Sequence, residues 1–167
     1  MIMCKRKGGI VNDFILEIVR TIAPLAFALI TLFLTNLHND KVKLKDTLRI
    51  RLDEFYIPFF NAVNRGMLGI IKPSQFDTET LCTFLDLLIL PMHNASQEAQ
   101  VEILKTYREM LDMFEYANGN KKFINQPIPQ RFDKQFYKLY NLLFKEYSDI
   151  CHTLKLPKPA NILDIHF

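Results

Sequence analysis

The chain has no tryptophan, five glycines and three cysteines, and each scarcity removes a class of protein. Five glycines leave little material for a phosphate-cradling loop. Neither G-x-x-x-x-G-K with a following Ser or Thr nor G-x-G-x-x-G occurs, so nucleotide chemistry is disfavoured. G-x-S-x-G and H-E-x-x-H are also missing, which takes away the serine-hydrolase and zinc-protease signatures. Cys4, Cys82 and Cys151 are too few and too scattered for a disulfide framework, and none belongs to a C-x-x-C pair. They suit a reducing compartment, in which Cys82 and Cys151 serve as small apolar residues. Strong charge of one sign is lacking too: the formal +3 divides into +5 over residues 1–51 and −2 over residues 52–167. A slightly acidic globular part lacks the electrostatic footprint of a nucleic-acid binder, so no nucleic-acid partner is expected.

What the chain has in quantity is apolar surface. Of its 167 residues 49% are hydrophobic and 23% charged, with fourteen Phe and six Tyr to build a core. That length holds one compact domain plus an anchor. The excess concentrates near the N-terminus, where Thr21 to Thr35 reads TIAPLAFALITLFLT without a charge and Phe14, Ile15, Leu16, Ile18 and Val19 extend it backwards. A helix needs about 20 apolar residues to cross a ~30 Å hydrocarbon core. The expectation is a transmembrane helix over residues 14–35 after a tail of residues 1–13, with Arg20 snorkelling and Glu17 three residues away as its partner. Pro24 is compatible with a membrane helix. Two rivals stand beside this reading. One is a secretory signal behind Lys5, Arg6 and Lys7, which fits poorly because Asn36 to Asp40 offers no small-x-small cleavage site. The other is a buried helix of a soluble protein. Four Lys or Arg within residues 1–20 against five within residues 36–55 place the globular part in the cytoplasm, as a single-pass protein of the cell membrane.

Beyond the anchor the spacing predicts an all-α chain, the transmembrane helix continuing into a bundle of about four helices. Residues 36–65 form a basic juxtamembrane helix, with Lys41, Lys45 and Arg49 on one face and Leu44, Leu48, Leu52, Phe55 and Phe59 on another. The basic face either meets anionic headgroups of the lipid bilayer or is simply solvated. Pro58 predicts a kink or restart, and Asn64, Gly66, Gly69 and Pro73 the helix end. The bundle domain then occupies residues 66–156, with a tail over 157–167. Its first helix, TETLCTFLDLLIL, is capped by Asp77 or Thr78 and is apolar on nearly every side, which predicts a central position. A second runs from a Ser96 cap to Asn118-Gly119, with Val101, Leu104, Tyr107, Leu111 and Phe114 inward. Its charged residues, Glu98, Glu102, Lys105, Arg108, Glu109, Asp112 and Glu115, are expected on a solvated face. The last carries Phe132, Phe136, Leu139, Leu143, Tyr147, Ile150 and Leu154 at close to 3.6-residue spacing, and Pro157 and Pro159 stop it.

No constellation points to chemistry. His93, His152 and His166 with Cys82 and Cys151 show no metal-ligand spacing, so no metal and no cofactor are expected. Tyr137, Tyr140 and Phe144 form a second aromatic row on the last helix, which either packs on the anchor-linked helix or offers a partner surface. The segment LDEFYIPF, Leu52 to Phe59, resembles a loose group of small bacterial and phage-associated proteins of unknown function. In that group one N-terminal membrane helix leads through a basic stretch into L-x-x-F-Y-x-P and a helical domain. The resemblance covers roughly the first 65 residues as layout and eight as motif. It implies a membrane-anchored cytoplasmic helical domain in host defence or a mobile element, and transfers no functional residue. The leading expectation is a non-enzymatic, membrane-tethered interaction module that binds a protein partner or forms a homo-oligomer, with no small-molecule substrate. A membrane-acting effector that works through anchor oligomerisation comes next. An enzyme built on Asp86, His93 or His152 comes third.

Overall fold

The structure, a computed structural model, describes residues 9–65, 71–123 and 125–161. Cys4, Lys5, Arg6, Lys7, Gly66, Gly69 and the tail residues 162–167 with His166 lie outside that description, as do the side chains of residues 9–16, 18 and 19. Every regular element among the described residues is helical. The order is α1 (Gly9–Arg51), a π-helical turn (Leu52–Tyr56), α2 (Ile57–Arg65), α3 (Thr78–Ile89), α4 (Gln97–Ala117) and α5 (Ile128–Leu154), with single 3-10 turns before α3, α4 and α5. The chain is all-α, as its spacing predicts. It divides within α1 into two units, Met1–Leu44 and Lys45–Phe167.

The described part of the first unit is a helix, and none of its described side chains is buried. Pro24 sits inside α1 without ending it. The side chains that follow stand in the open: Phe27 is 74% exposed, and Ile22, Leu25, Leu29, Leu32, Phe33 and Leu34 are all more than half exposed. This stretch lies near the N-terminus and is long and apolar enough to cross a membrane, and none of it is buried. The buried-helix rival therefore has no packing to support it among the described residues. Thr21, Thr31 and Thr35 each donate their hydroxyl to the carbonyl four residues back, so these polar groups are satisfied within the helix.

The second unit holds the core. Its first feature is the π-helical turn, where the N–H of Ile57 bonds the carbonyl of Leu52, five residues back. The physical reason is Pro58. In a continuous α-helix its ring would crowd the carbonyl of Glu54 and supply no donor, and a widened turn relieves the clash. The expected kink at Pro58 is thus a bulge immediately before it. One consequence is that adjacent residues Phe55 and Tyr56 both turn inward and are fully buried. With Phe59 and Phe60 they begin a ring cluster that runs through Phe84 of α3 to Phe136 of α5, at centroid distances of 6.4 Å (Phe59–Phe84) and 5.8 Å (Phe84–Phe136). Such edge-on pairs contribute roughly 0.5–1.5 kcal/mol each beyond burial.

α4 and α5 run antiparallel, since Ser96, Glu102 and Glu109 of α4 meet Glu146, Gln135 and Arg131 of α5. The long stripe on α5 is inward as predicted, with Phe132, Phe136, Leu139, Leu143 and Ile150 buried. Asp77 caps α3 by accepting from the Thr80 N–H at 2.7 Å, and Ser96 caps α4 through the Ala99 N–H. Gly119, at φ +76°, closes α4 beyond its Asn118 cap.

Two expectations about the bundle are corrected. α3 is not central: it buries Leu81, Phe84 and Leu88, while Cys82 and Asp86 face solvent and Leu90, just past its end, is 75% exposed. α4 is turned so that Ala99, Ile103, Thr106, Met110 and Met113 face inward with Glu102, and Val101, Leu104, Tyr107 and Leu111 are exposed. Both stripes have helical period. Small and flexible side chains win the inner position because α5 already fills that space with rings and leucines. A third difference concerns the end of α5. It stops before Pro157, at Lys155, which adopts the left-handed conformation (φ 59°). The N–H groups of Lys155 and Leu156 return to the carbonyls of His152 and Cys151.

Because a side chain at that φ is disfavoured and glycine is not, Lys155→Gly is expected to stabilise the domain by roughly 0.5–1 kcal/mol. Urea unfolding of the fragment 45–167, which carries the whole buried core, checks this; unchanged or lower stability would contradict the assigned helix stop.

Candidate functional site

The densest polar cluster in the second unit gathers where the π-helical turn, the N-terminus of α4 and the middle of α5 meet. Its centre is Glu146 of α5. One carboxylate oxygen accepts from the hydroxyl of Tyr56 and the other from the hydroxyl of Ser96. Arg51 stands 3.7 Å from the same carboxylate. Its Nε donates to the carbonyl of Asn94 at 2.6 Å and its Nη2 to the Tyr56 oxygen at 3.3 Å. Asn94, itself buried, donates its side-chain amide to Glu54 at 2.9 Å. The π-helical turn is what brings Arg51, Glu54 and Tyr56 to this one side. With an extra residue in the turn, Tyr56 points across to α5.

The electrostatics make this a lock between three elements. Burial holds the phenol of Tyr56 well above its ordinary range, and the hydrogen bond to Glu146 and that group's charge add to the effect. Tyr56 is a neutral donor at any physiological pH. Both oxygens of Glu146 are engaged by donors from other elements of the fold. The lock forms part of the wall of an open cleft of about 590 Å³, lined by Arg51, Ser96 and Glu146 together with Gln97, Lys145 and Asp149.

A buried carboxylate lies farther along α4. Glu102, 6% exposed, is held by Lys105 at 2.7 Å, Lys138 at 3.0 Å and Gln135 at 2.9 Å. Hydrogen bonds from Lys105 and Gln135 bring its pKa down to about 2. The expectation of a solvated face fails here, because α5 supplies the partners that allow a charge under the surface.

Lys41, Lys45 and Arg49 all occupy exposed positions of α1. Tyr137, Tyr140 and Phe144 do not form a free surface. Tyr140 is 1% exposed, its hydroxyl bonded to Asn161 at 2.8 Å, and it meets Phe60 edge-on at 5.5 Å, as Phe144 does at 5.8 Å. The row packs on α2, part of the anchor-linked helical run, and Tyr137 keeps partial exposure. Asp86 and His93 line one small depression with Glu54 and Leu90, while His152 lines another with Asp149 and Lys158. Cys82 is exposed and Cys151 buried, where burial pushes its thiol up. Among the described residues no three His, Cys, Asp or Glu side chains are placed to hold a metal ion.

No family model, no curated protein and no solved structure matches this chain. Its function has to be argued from its own residues. Sequence reasoning missed the lock for a plain reason: Tyr56 and Glu146 are 90 positions apart, and nothing local to either announces the other.

Two measurements on the fragment 45–167 follow. Removing the centre with Glu146→Ala leaves two hydroxyls without their acceptor and Arg51 without its counter-charge, and is expected to cost about 2–4 kcal/mol in urea unfolding, against about 1–2 kcal/mol for Tyr56→Phe. Equal, small effects would mean the lock is ornamental. For Glu102 the folded pKa lies below the unfolded value, so its contribution is complete above about pH 4.5 and is lost as pH falls toward 2. The lysines that hold it are more than half exposed, which reduces the contribution to about 1–2 kcal/mol. The stability gap between wild type and Glu102→Gln is expected to close across that acidic window and nowhere else.

Proposed function

We propose that this protein is a single-pass, membrane-tethered helical module that acts by binding another protein or a second copy of itself, and not by catalysis. The observation that carries the reading is the exposed apolar face of α1. From Thr21 to Asn39 the chain has no Asp, Glu, Lys or Arg, a run of about 28 Å at ~1.5 Å per residue, close to one hydrocarbon core. In water these side chains would present an apolar surface far beyond what a monomer keeps exposed. In lipid they need no partner.

The rest of the chain supports a binding role. Several of its charged groups hold the fold: Glu146 in the lock, Glu102 between two lysines, and Arg131 across Glu109 and Asp112. An exposed apolar stripe on α4 is left over. Lys41, Lys45 and Arg49 lie just beyond the span, where each contributes about 1 kcal/mol beside anionic headgroups. Five Lys or Arg on this flank against four on the other favour a cytoplasmic globular part. The same layout agrees with the resemblance of LDEFYIPF to membrane-anchored bacterial and phage-associated proteins.

Carbonate extraction of membranes from expressing cells tests the tether. The full chain is expected to stay in the pellet and the fragment 45–167 to be soluble and helical, with added protease reaching the domain only in opened cells. A full chain released by carbonate would remove the tether, and digestion in intact cells would reverse the orientation.

A further inference from the structure

We infer that the outward face of α4 pairs two copies of this chain, antiparallel about Leu111. This deepens the binding role proposed above and rests on the membrane tether. α4 is apolar on two sides. One side is in the core, and the other carries Val101, Leu104 (52% exposed), Tyr107 and Leu111 along three turns of helix, with Arg108 and Glu115 among them. A helix that only closed a bundle would show solvent a polar back.

Two features choose a second copy as the occupant. The first is charge. Arg108 and Glu115 are seven residues apart along the face, with Leu111 between them in sequence. When an identical helix lies antiparallel with its twofold axis beside Leu111, midway between Leu111 and Asp112, each Arg108 falls opposite Glu115 of the other copy, giving two ion pairs. A parallel arrangement would set arginine against arginine. The second feature is size. Two such stripes cover roughly 600 Å² in all, about half of the ~1,200 Å² at which stable interfaces begin. Free domains would therefore associate only weakly, whereas chains confined to one bilayer meet at a high effective concentration, which makes a small interface sufficient. A membrane span beside a face too small to hold a dimer in solution forms a consistent pair.

The test uses the full chain, with Cys4 and Cys82 replaced by serine, in vesicles of phosphatidylcholine and phosphatidylglycerol. Flotation reports the tether, and disulfide formation through Leu111→Cys reports the pair. The expected result is a chain that floats and cross-links at Leu111→Cys but not at Thr83→Cys on α3. Arg108→Glu is expected to lower the cross-linking rate about tenfold by setting like charges opposite each other twice. Arg108→Glu combined with Glu115→Arg should return it to within about twofold. Both positions are exposed, so the fold tolerates the changes. Chains that float without cross-linking at Leu111→Cys overturn the pairing and leave the tether standing; the stripe then belongs to another protein or to a further segment of this chain. A single variant that weakens cross-linking without rescue by the charge swap overturns the antiparallel register. Chains that fail to float overturn the tether instead.

Discussion

One carboxylate decides how this domain closes. Glu146 takes hydrogen bonds from the π-helical turn and from the cap of α4 while sitting in the middle of α5, and it faces the guanidinium of Arg51. Apolar burial brings these elements together but does not choose their rotation, since rings and leucines pack in more than one register. A charge with directed donors on two other elements does choose. The setting of α4 follows from the same constraint: Ser96 serves Glu146 and its own helix at once, so the first turn of α4 is oriented before any of its apolar side chains count.

The helices were legible in the sequence, and their faces only partly so. α5 was readable because its stripe is long and its neighbours along the chain are polar, and the caps at Asp77, Ser96 and Gly119 were readable because each acts within a few residues. α4 misled because it carries two apolar stripes with the same period, and the choice between them is made by α5, not by α4. α3 misled because a nearly uniform apolar helix reads as central, when an edge position with exposed Leu90 uses the same residues. Pro58 announced an irregularity, yet its form, a widened turn before it, depends on the Glu54 carbonyl it would otherwise strike. Tyr140 looked like surface because the residue that covers its hydroxyl, Asn161, lies beyond two prolines in what reads as a loose tail.

The functional reading joins the two units through their surfaces alone. One exposes a long uncharged apolar run from Thr21 to Thr35, and the other an apolar stripe on α4. Buried polar groups such as Glu102 and Asn94 bond across elements and hold the shape of the domain. On the proposed reading, such a protein acts by where it is and by what it touches.

The distance along the chain between Tyr56 and Glu146 also sets an order of events during synthesis. At 5–20 residues per second, roughly 5–20 s separate the emergence of Phe55, Tyr56, Phe59 and Phe60 from that of the α5 side chains that enclose them. During that interval these four rings are outside the ribosome with only one another and Phe84 of α3 to pack on, directly after an apolar helix. A nascent chain in this state is a natural client for a chaperone. The yield of folded protein should then depend on how fast its second half is translated, and slow codons between α2 and α5 would be felt as aggregation even though every mature contact was unchanged.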